Sequence, residues 1–413
     1  MKLFSLLISL LFLFNINAQT ITNYTTADGL MDNFVECVNV DVDDNIWFGT
    51  SVGFQKYDPS TSDWTNFDIA NYPDMVSNNI KQINSTLNSI WIGSDYGINT
   101  WNEPVFTTYN STNGLASNQV RSIDVKDNSP DDIWIGTNQG VSHFDGSSWM
   151  SYSSPDLHWS GVNATAFDSN GDKWFASPLG GVTHFDGTSF TVYDTSNGLL
   201  SQNVTALLID NQDNKWIGTG SGISVLNASN TSFTHHTRMY IMPPPDTLNP
   251  VVDIAMDSYG RIWAAIYVGY LAEGGIAFWD GNQWEDFHVS DGLVGPNVRG
   301  LSIDSEDNVW VVTSTGVSKI SSIVSSLNSM IDVNIDLFPN PSDGKIQIFN
   351  KECDLTDVSV YNMLGSLMYS EILISEPQLT LDLSFLSSGI YQLVFSSNPV
   401  SYTHLTLPTI YSV

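Results

Sequence analysis

Four groups of residues in this chain have types and spacings that could do chemistry. The run WIGTGSG, Trp216 to Gly222, sets three glycines in five residues behind an apolar pair. Such a run can cradle a phosphate when a strand precedes it, a helix opens on its last glycine and an acidic residue stands roughly 20 positions on. The next residues here are ISVLNASNTSF, β-branched and polar with no helical period, so a phosphate loop is not supported. The Asp-rich runs DVDDN (Asp41 to Asn45), DSNGD (Asp168 to Asp172) and DNQDN (Asp210 to Asn214) resemble the start of a calcium loop. An EF-hand needs Gly at its sixth position and Glu at its twelfth, and counting from Asp41 those positions hold Ile46 and Val52. Hairpin turns are the better reading, since Asp and Asn bond their own backbone there; no cofactor is expected, with calcium as the alternative. His143 and His184 stand at equivalent places where other repeats carry Lys56, Thr100 or Lys319. With no carboxylate or Cys recurring at ligand spacing they read as surface variation and not as a metal pair. The fourth group is His235, His236, Arg238 and Tyr240, joined by Tyr267 and Tyr270, which could grip a sugar or an anion by stacking and charge-assisted hydrogen bonds. No G-x-S-x-G opens a helix behind a strand, so a nucleophile elbow is not indicated.

The elements that must position these groups come from a repeat. WIGTGSG has relatives at Trp47, Trp91, Trp134 and Trp174, with weaker copies at Trp263 and Trp310, spaced by 44, 43, 40, 42, 47 and 47 residues. Most units place an apolar residue twelve before the Trp, an apolar or small one nine before and an Asp six before, as in Val204, Leu207 and Asp210. After the Trp come a Gly, a short alternating run and an aromatic pair such as Trp149 and Tyr152, usually followed by Gly-Leu. Four short strands separated by turn residues in some 44 residues describe a propeller blade. The seventh copy lacks its outer strand, while TITNYTTADGL near the N-terminus matches the outer-strand phrase FTVYDTSNGL. Ile21 to Thr26 is therefore expected to complete the seventh blade beside Gly316 to Ile320, hiding two sheet edges. The repeat breaks where THHTRMYIMPPPDTLNP, residues 234–250, replaces the Gly-Leu phrase and where blade six carries the long loop AIYVGYLAEGGIAF. Loops on a rigid scaffold are where binding groups gather, which is why the fourth group stands out.

Composition limits the partners. The chain has 413 residues, 13 Lys plus Arg and 44 Asp plus Glu, for a net charge of −31. Nucleic acid and anionic membranes are excluded as broad partners, because phosphate binding rests on Lys and Arg. Sixteen Tyr, 20 Phe and 13 Trp give enough apolar mass to fold despite that charge. Residues 1–18 read as a secretory signal, and no later segment is apolar enough for a membrane span. Cys37 and Cys353 read as small buried hydrophobes with no bridge between them.

The phrase NGLLSQNVTALLIDNQDNKWIGTGSGI resembles the two-component regulator propeller repeat, and the resemblance covers roughly residues 19–322. It implies the blade fold and ligand binding on one face of the ring; with one ring and no kinase, the signalling activity of that family does not carry over. After a Ser-rich linker, residues 323–332, the phrases IDLFPNPSDGKIQIFN, VSVYNMLGSLMY and LDLSFLSSGIYQLVF alternate as a small β-sandwich does. Residues 333–398 resemble the type A C-terminal sorting domain of the type IX secretion system of Bacteroidota, at Pro339, Asn340, Pro341, Gly344, Gly365, Leu386, Gly389 and Tyr391. That resemblance implies the type IX machinery as a partner and a secreted or cell-surface location. Residues 399–413, beginning PVSYTHLTLPT, resemble a translated sequencing adapter and are expected to be a non-native tail.

The whole reads as an all-β chain: a seven-bladed propeller closed by an N-terminal strand, then a small sandwich. The function expected is non-enzymatic binding of an extracellular glycan or protein. A propeller glycan hydrolase or lyase is the alternative, and it requires carboxylates converging at the channel mouth; a sensor whose signalling partner is another chain is a third.

Overall fold

The computed structural model describes residues 20–126, 129, 131–240, 249–267 and 273–321 of the first of two compact units, Met1–Ile323. In the second, Val324–Val413, it describes residues 335–338, 345–350, 355–362, 367–372, 378–386, 391–397 and 401–407. The signal segment and linker lie outside these residues.

The first unit is seven four-stranded antiparallel sheets. Their inner strands are Val35–Val40, Ile80–Ser85, Val120–Val125, Ala164–Phe167, Val204–Ile209, Val251–Met256 and Val298–Ile303. Each inner strand touches the inner strands of both neighbouring blades, which closes the ring. Burial explains the sequence pattern. The second strand of a blade, such as Ile90–Ser94 or Ile133–Thr137, is buried on both faces because a sheet packs against it from either side, whereas outer strands such as Asp63–Phe67 are largely exposed. The apolar clusters accordingly lie between blades: Trp174, Leu199, Val204, Ile217 and Leu226 join blades four and five.

The Asp six before the Trp proves to be a turn cap. Asp210 takes the N–H groups of Gln212 and Asn214 on one oxygen and the Trp216 indole N–H at 2.9 Å on the other. The same indole bond recurs from Trp47, Trp174, Trp263 and Trp310. The first Asp of each Asp-rich run is therefore a turn cap whose carboxylate is already engaged. Asp168→Ala should leave the fully buried Trp174 indole without its acceptor; the expected loss is about 1–3 kcal/mol, measurable as a lower urea midpoint with unchanged slope.

The ring closes as the repeat phase predicts. Thr20–Tyr24 pairs antiparallel with Gly316–Ser321, with Ile21 opposite Ile320 and Tyr24 opposite Val317. A second stitch lies at the first hairpin turns. Asp44, at φ 60°, accepts from the Ser305 N–H at 2.9 Å and from its hydroxyl, joining blade one to blade seven. Asp213 and Asp307 bind Ser169 and Ser258 in the same way.

The second unit comprises two antiparallel sheets, one of three strands (Ile335–Phe338, Lys345–Asn350, Gln378–Asp382) and one of four (Leu355–Asn362, Leu367–Ile372, Tyr391–Ser397, Ser401–Leu407). Val358, Val360, Leu381 and Leu383 are buried in it. The edge strand Ser401–Leu407 lies within the segment expected to be a non-native tail and pairs with Tyr391–Ser396.

Candidate functional site

A break in register at the start of the inner strands builds the site. Val35 pairs with Thr50 and Cys37 with Gly49, so Glu36 is left without a partner as a bulge. The same slip isolates Lys81, Arg121, Thr205, Val252 and Arg299 in five other blades. A β-bulge re-aims a side chain, and here it turns one residue per blade toward the axis. These six and Asn163 of blade four line a cavity of about 450 Å³ at the channel mouth, with Gln82, Asp95, Gln119 and Tyr267.

Charge is concentrated there. Residues 20–321 contain ten Lys and Arg. Five of them lie over blade tryptophans: Lys56, Lys173, Lys215, Arg261 and Lys319 stand 4.9–5.8 Å from an indole centroid, a cation–π use that is structural. Three of the remaining five, Lys81, Arg121 and Arg299, face the mouth. Glu36 bridges two of them. Its Oε1 accepts from Lys81 Nζ at 2.9 Å, and its Oε2 from Arg299 Nε at 2.7 Å and from Arg299 Nη2. The Arg299 guanidinium also lies 4.8 Å from the Phe34 ring centroid. Arg121 is exposed and has one weak bond, 3.4 Å from Nη1 to Asn163 Oδ1.

Below the mouth, polar side chains of the inner strands cap the next blade's backbone. Asn84 Nδ2 donates to Ile123 O at 2.7 Å, Thr165 N donates to Asp124 at 3.1 Å, and Leu301 N donates to Asp253 at 2.9 Å. Burial pushes the Asp124 carboxyl up to about 7, opposed by hydrogen-bonding groups of Ser122 and Thr165 and reinforced by the Asp253 charge. Burial likewise raises Asp253 to about 6, against the Leu301 and Ile254 N–H groups.

The residues singled out from sequence are not brought together. Tyr267 lines the mouth. His235 and Arg238 are exposed, with His235 Nδ1 3.1 Å from Ser224 Oγ. His236 stacks on Trp216 and accepts from Trp284 Nε1 at 3.1 Å, and burial, then the neighbouring His235, lowers its pKa. Tyr240 is 3% exposed, donates its hydroxyl to Gly274 O at 2.9 Å and packs on His288; burial pushes its phenol well above the usual range. His236 and Tyr240 thus fill the space between blades, because the repeat's missing phrase must be replaced by other apolar mass. Tyr270 lies outside the described residues. Of the sorting-motif positions only Leu386 and the backbone of Tyr391 are described.

His143 and His184 also differ from expectation. They are half-buried covers, stacked 4.3 Å from Trp134 and Trp174 and bonded to Asp132 and Asp172 at 2.8 and 3.0 Å. Lys56 and Lys319 serve the same indole-covering place in their blades. Asp168, Asp172 and His184 bring one ligand atom each within 4.8 Å, yet Asp168 is already a turn cap. Cys37 is reduced and buried, and burial with the Glu36 charge pushes its thiol up to about 12; Cys353 lies outside the described residues.

Comparison with known proteins places the second unit. Residues 336–405 match the secretion system C-terminal sorting domain. The chain carries a type IX secretion sorting tail. Its tail marks it for secretion and the outer cell surface, with the secretion machinery as a partner. Among the described residues no helix is long and apolar enough to cross a membrane. No curated protein matches the sequence. The fold is similar to PorZ, a surface component of the type IX secretion system of Porphyromonas gingivalis, at 17% identity and TM-score 0.60, covering 93% of this chain and 60% of that one. It is similar to the extracellular domain of a hybrid two component system of B. thetaiotaomicron at 16% identity and TM-score 0.61, covering 94% and 58%. A streptogramin B lyase structure shares 13% identity with TM-score 0.58, covering 73% and 97%. The chain spans about 60% of the length of the first two, and at these identities the likeness concerns the fold.

Proposed function

We propose that the exported propeller is a non-enzymatic module that binds an extracellular glycan or protein at its channel mouth. The observation that carries this is the bulge ring: one variable side chain per blade is turned into a single cavity, while the position before it stays apolar and buried in every blade. Pockets of about 300–1,000 Å³ with a few convergent polar groups suit small ligands or chain ends. The hydrolase or lyase reading is weaker: of the two carboxylates that line the cavity, Glu36 has both oxygens engaged by cations, so Asp95 lacks the free second carboxylate that a glycosidase pair needs. Asp124 and Asp253 are half-buried and hold neighbouring backbone.

Gln119 is exposed at the rim, so Gln119→Trp should obstruct the mouth without disturbing a blade core. On a glycan and peptide array, this variant of the full chain should lose the ligands the parent retains by at least tenfold, and Arg238→Ala should not. Loss confined to Arg238→Ala would move the site to the 234–250 insertion.

A further inference from the structure

Resting on that reading of the mouth, we infer that its ligand is a saccharide bearing a monoanionic acid group, anchored by Arg121. Three cations and two carboxylates, Glu36 and Asp95, line the cavity, leaving one unit of positive charge in a chain of net charge −31. Lys81 and Arg299 are neutralised in part by Glu36. Arg121 has no carboxylate partner among the described residues; its single bond is the 3.4 Å contact to Asn163. A guanidinium holds a planar carboxylate through two parallel bonds, and Arg121 retains the donors for that. An exposed arginine on a strongly acidic surface would ordinarily meet one of the chain's own acids; here the bulge holds it toward the axis.

The surroundings select the rest of the ligand. Gln82 and Gln119 offer amides suited to sugar hydroxyls, and Tyr267 offers an aromatic face. The excess of one positive charge matches a carboxylate or a sulfate ester; a phosphate dianion would meet Glu36 and Asp95 with its second charge. A peptide needs pockets for alternate side chains, and the apolar lining is confined to Val120, Val252 and Val298.

Calorimetric titration of the full chain with trigalacturonate, its methyl ester, a sulfated trisaccharide and maltotriose tests this. Trigalacturonate or the sulfated sugar should bind, with the methyl ester and maltotriose at least tenfold weaker. Arg121→Ala should weaken the acidic ligand tenfold or more, with part of the affinity returned by Arg121→Lys; which acid binds better identifies the source of the charge. Equal binding of acid and ester, unaffected by Arg121→Ala but lost in Gln119→Trp, would overturn the acid inference and leave the mouth as the binding site. Binding of none of the four sugars would overturn the saccharide class, and binding unaffected by either substitution would overturn the mouth itself.

Discussion

Removing residues 20–24 from the exported chain is expected to destroy the propeller's single cooperative unfolding transition. The reason is where that strand sits. Ile21 packs against the cluster between blades six and seven, which contains Trp263, Phe287, Leu293 and Ile320. Tyr24 inserts between blades seven and one, with its ring centroid 5.5 Å from Tyr57, 6.0 Å from Trp64 and 5.6 Å from Trp310. Asn23 adds a bond from its amide to Gly292 O at 2.9 Å and accepts from Ser318 Oγ at 2.7 Å. Deleting a fully buried large side chain costs about 2–5 kcal/mol; Ile21 and Tyr24 are half-buried, and their loss together with the whole strand pairing takes a large part of the ~5–15 kcal/mol that holds a domain. The bared edge of Gly316–Ser321 would then invite pairing with another chain. Circular dichroism melts should show a broad, low transition, and size-exclusion chromatography should show association. The milder Tyr24→Ala should remain monomeric while losing about 1–3 kcal/mol, less than a fully buried aromatic because Tyr24 is half-buried. A truncated chain that stays monomeric with an unchanged melting temperature would refute the closure argument.

The contrast between what the residues disclosed and what they hid comes from periodicity. Strand count, blade phase and ring closure rest on positions constrained in every copy, and seven copies average away the exceptions. WIGTGSG shows this well. Gly218 lies opposite the bulge in blade five, where an added Cβ would stand 2.9 Å from Val251 of the next blade; Gly222, at φ 125°, turns the hairpin. The close approach is therefore to the neighbouring blade. The mouth was less legible because function occupies the position that does not repeat. Glu36, Lys81, Arg121, Asn163, Thr205, Val252 and Arg299 come directly after the first apolar residue of each blade, and their variety behind a uniform Val or Ile was the available signal. The insertion drew attention because it broke the repeat, yet a broken repeat must still fill space between blades, and His236 and Tyr240 do that. Sequence spacing does not distinguish an aromatic that covers a tryptophan from one that waits for a ligand.

Replacing Asp124 by Asn is expected to stabilise the propeller at pH 8 and to do little at pH 4. Its carboxyl titrates at about 7 in the fold, against about 3.9 in an unfolded chain. A raised folded pKa means that the native state binds the proton more tightly, so its stabilising contribution is complete below about pH 4 and is lost as pH rises through about 7. Each tenfold difference in proton affinity between the two states is worth about 1.4 kcal/mol, which puts the loss at pH 8 on the order of 2–4 kcal/mol. Asn keeps the shape, still accepts the Thr165 N–H through its carbonyl, and carries no charge into the wall. Asp253→Asn should gain less, because Asp253 accepts backbone N–H groups on both oxygens, from Ile254 and Leu301, and an amide nitrogen must then face one of those donors. The acidic surface also weakens the fold as pH rises, so the exposed Asp63→Asn serves as the control for net charge. Chemical denaturation at pH 4, 6 and 8 separates the two effects. A gain for Asp124→Asn that is the same at all three values, or no larger than that of Asp63→Asn, would show that the buried carboxyl carries no such burden. The expected order at pH 8, Asp124→Asn above Asp253→Asn, has two sources that act the same way: Asp253 is raised less, to about 6 against about 7, and it satisfies one backbone donor more.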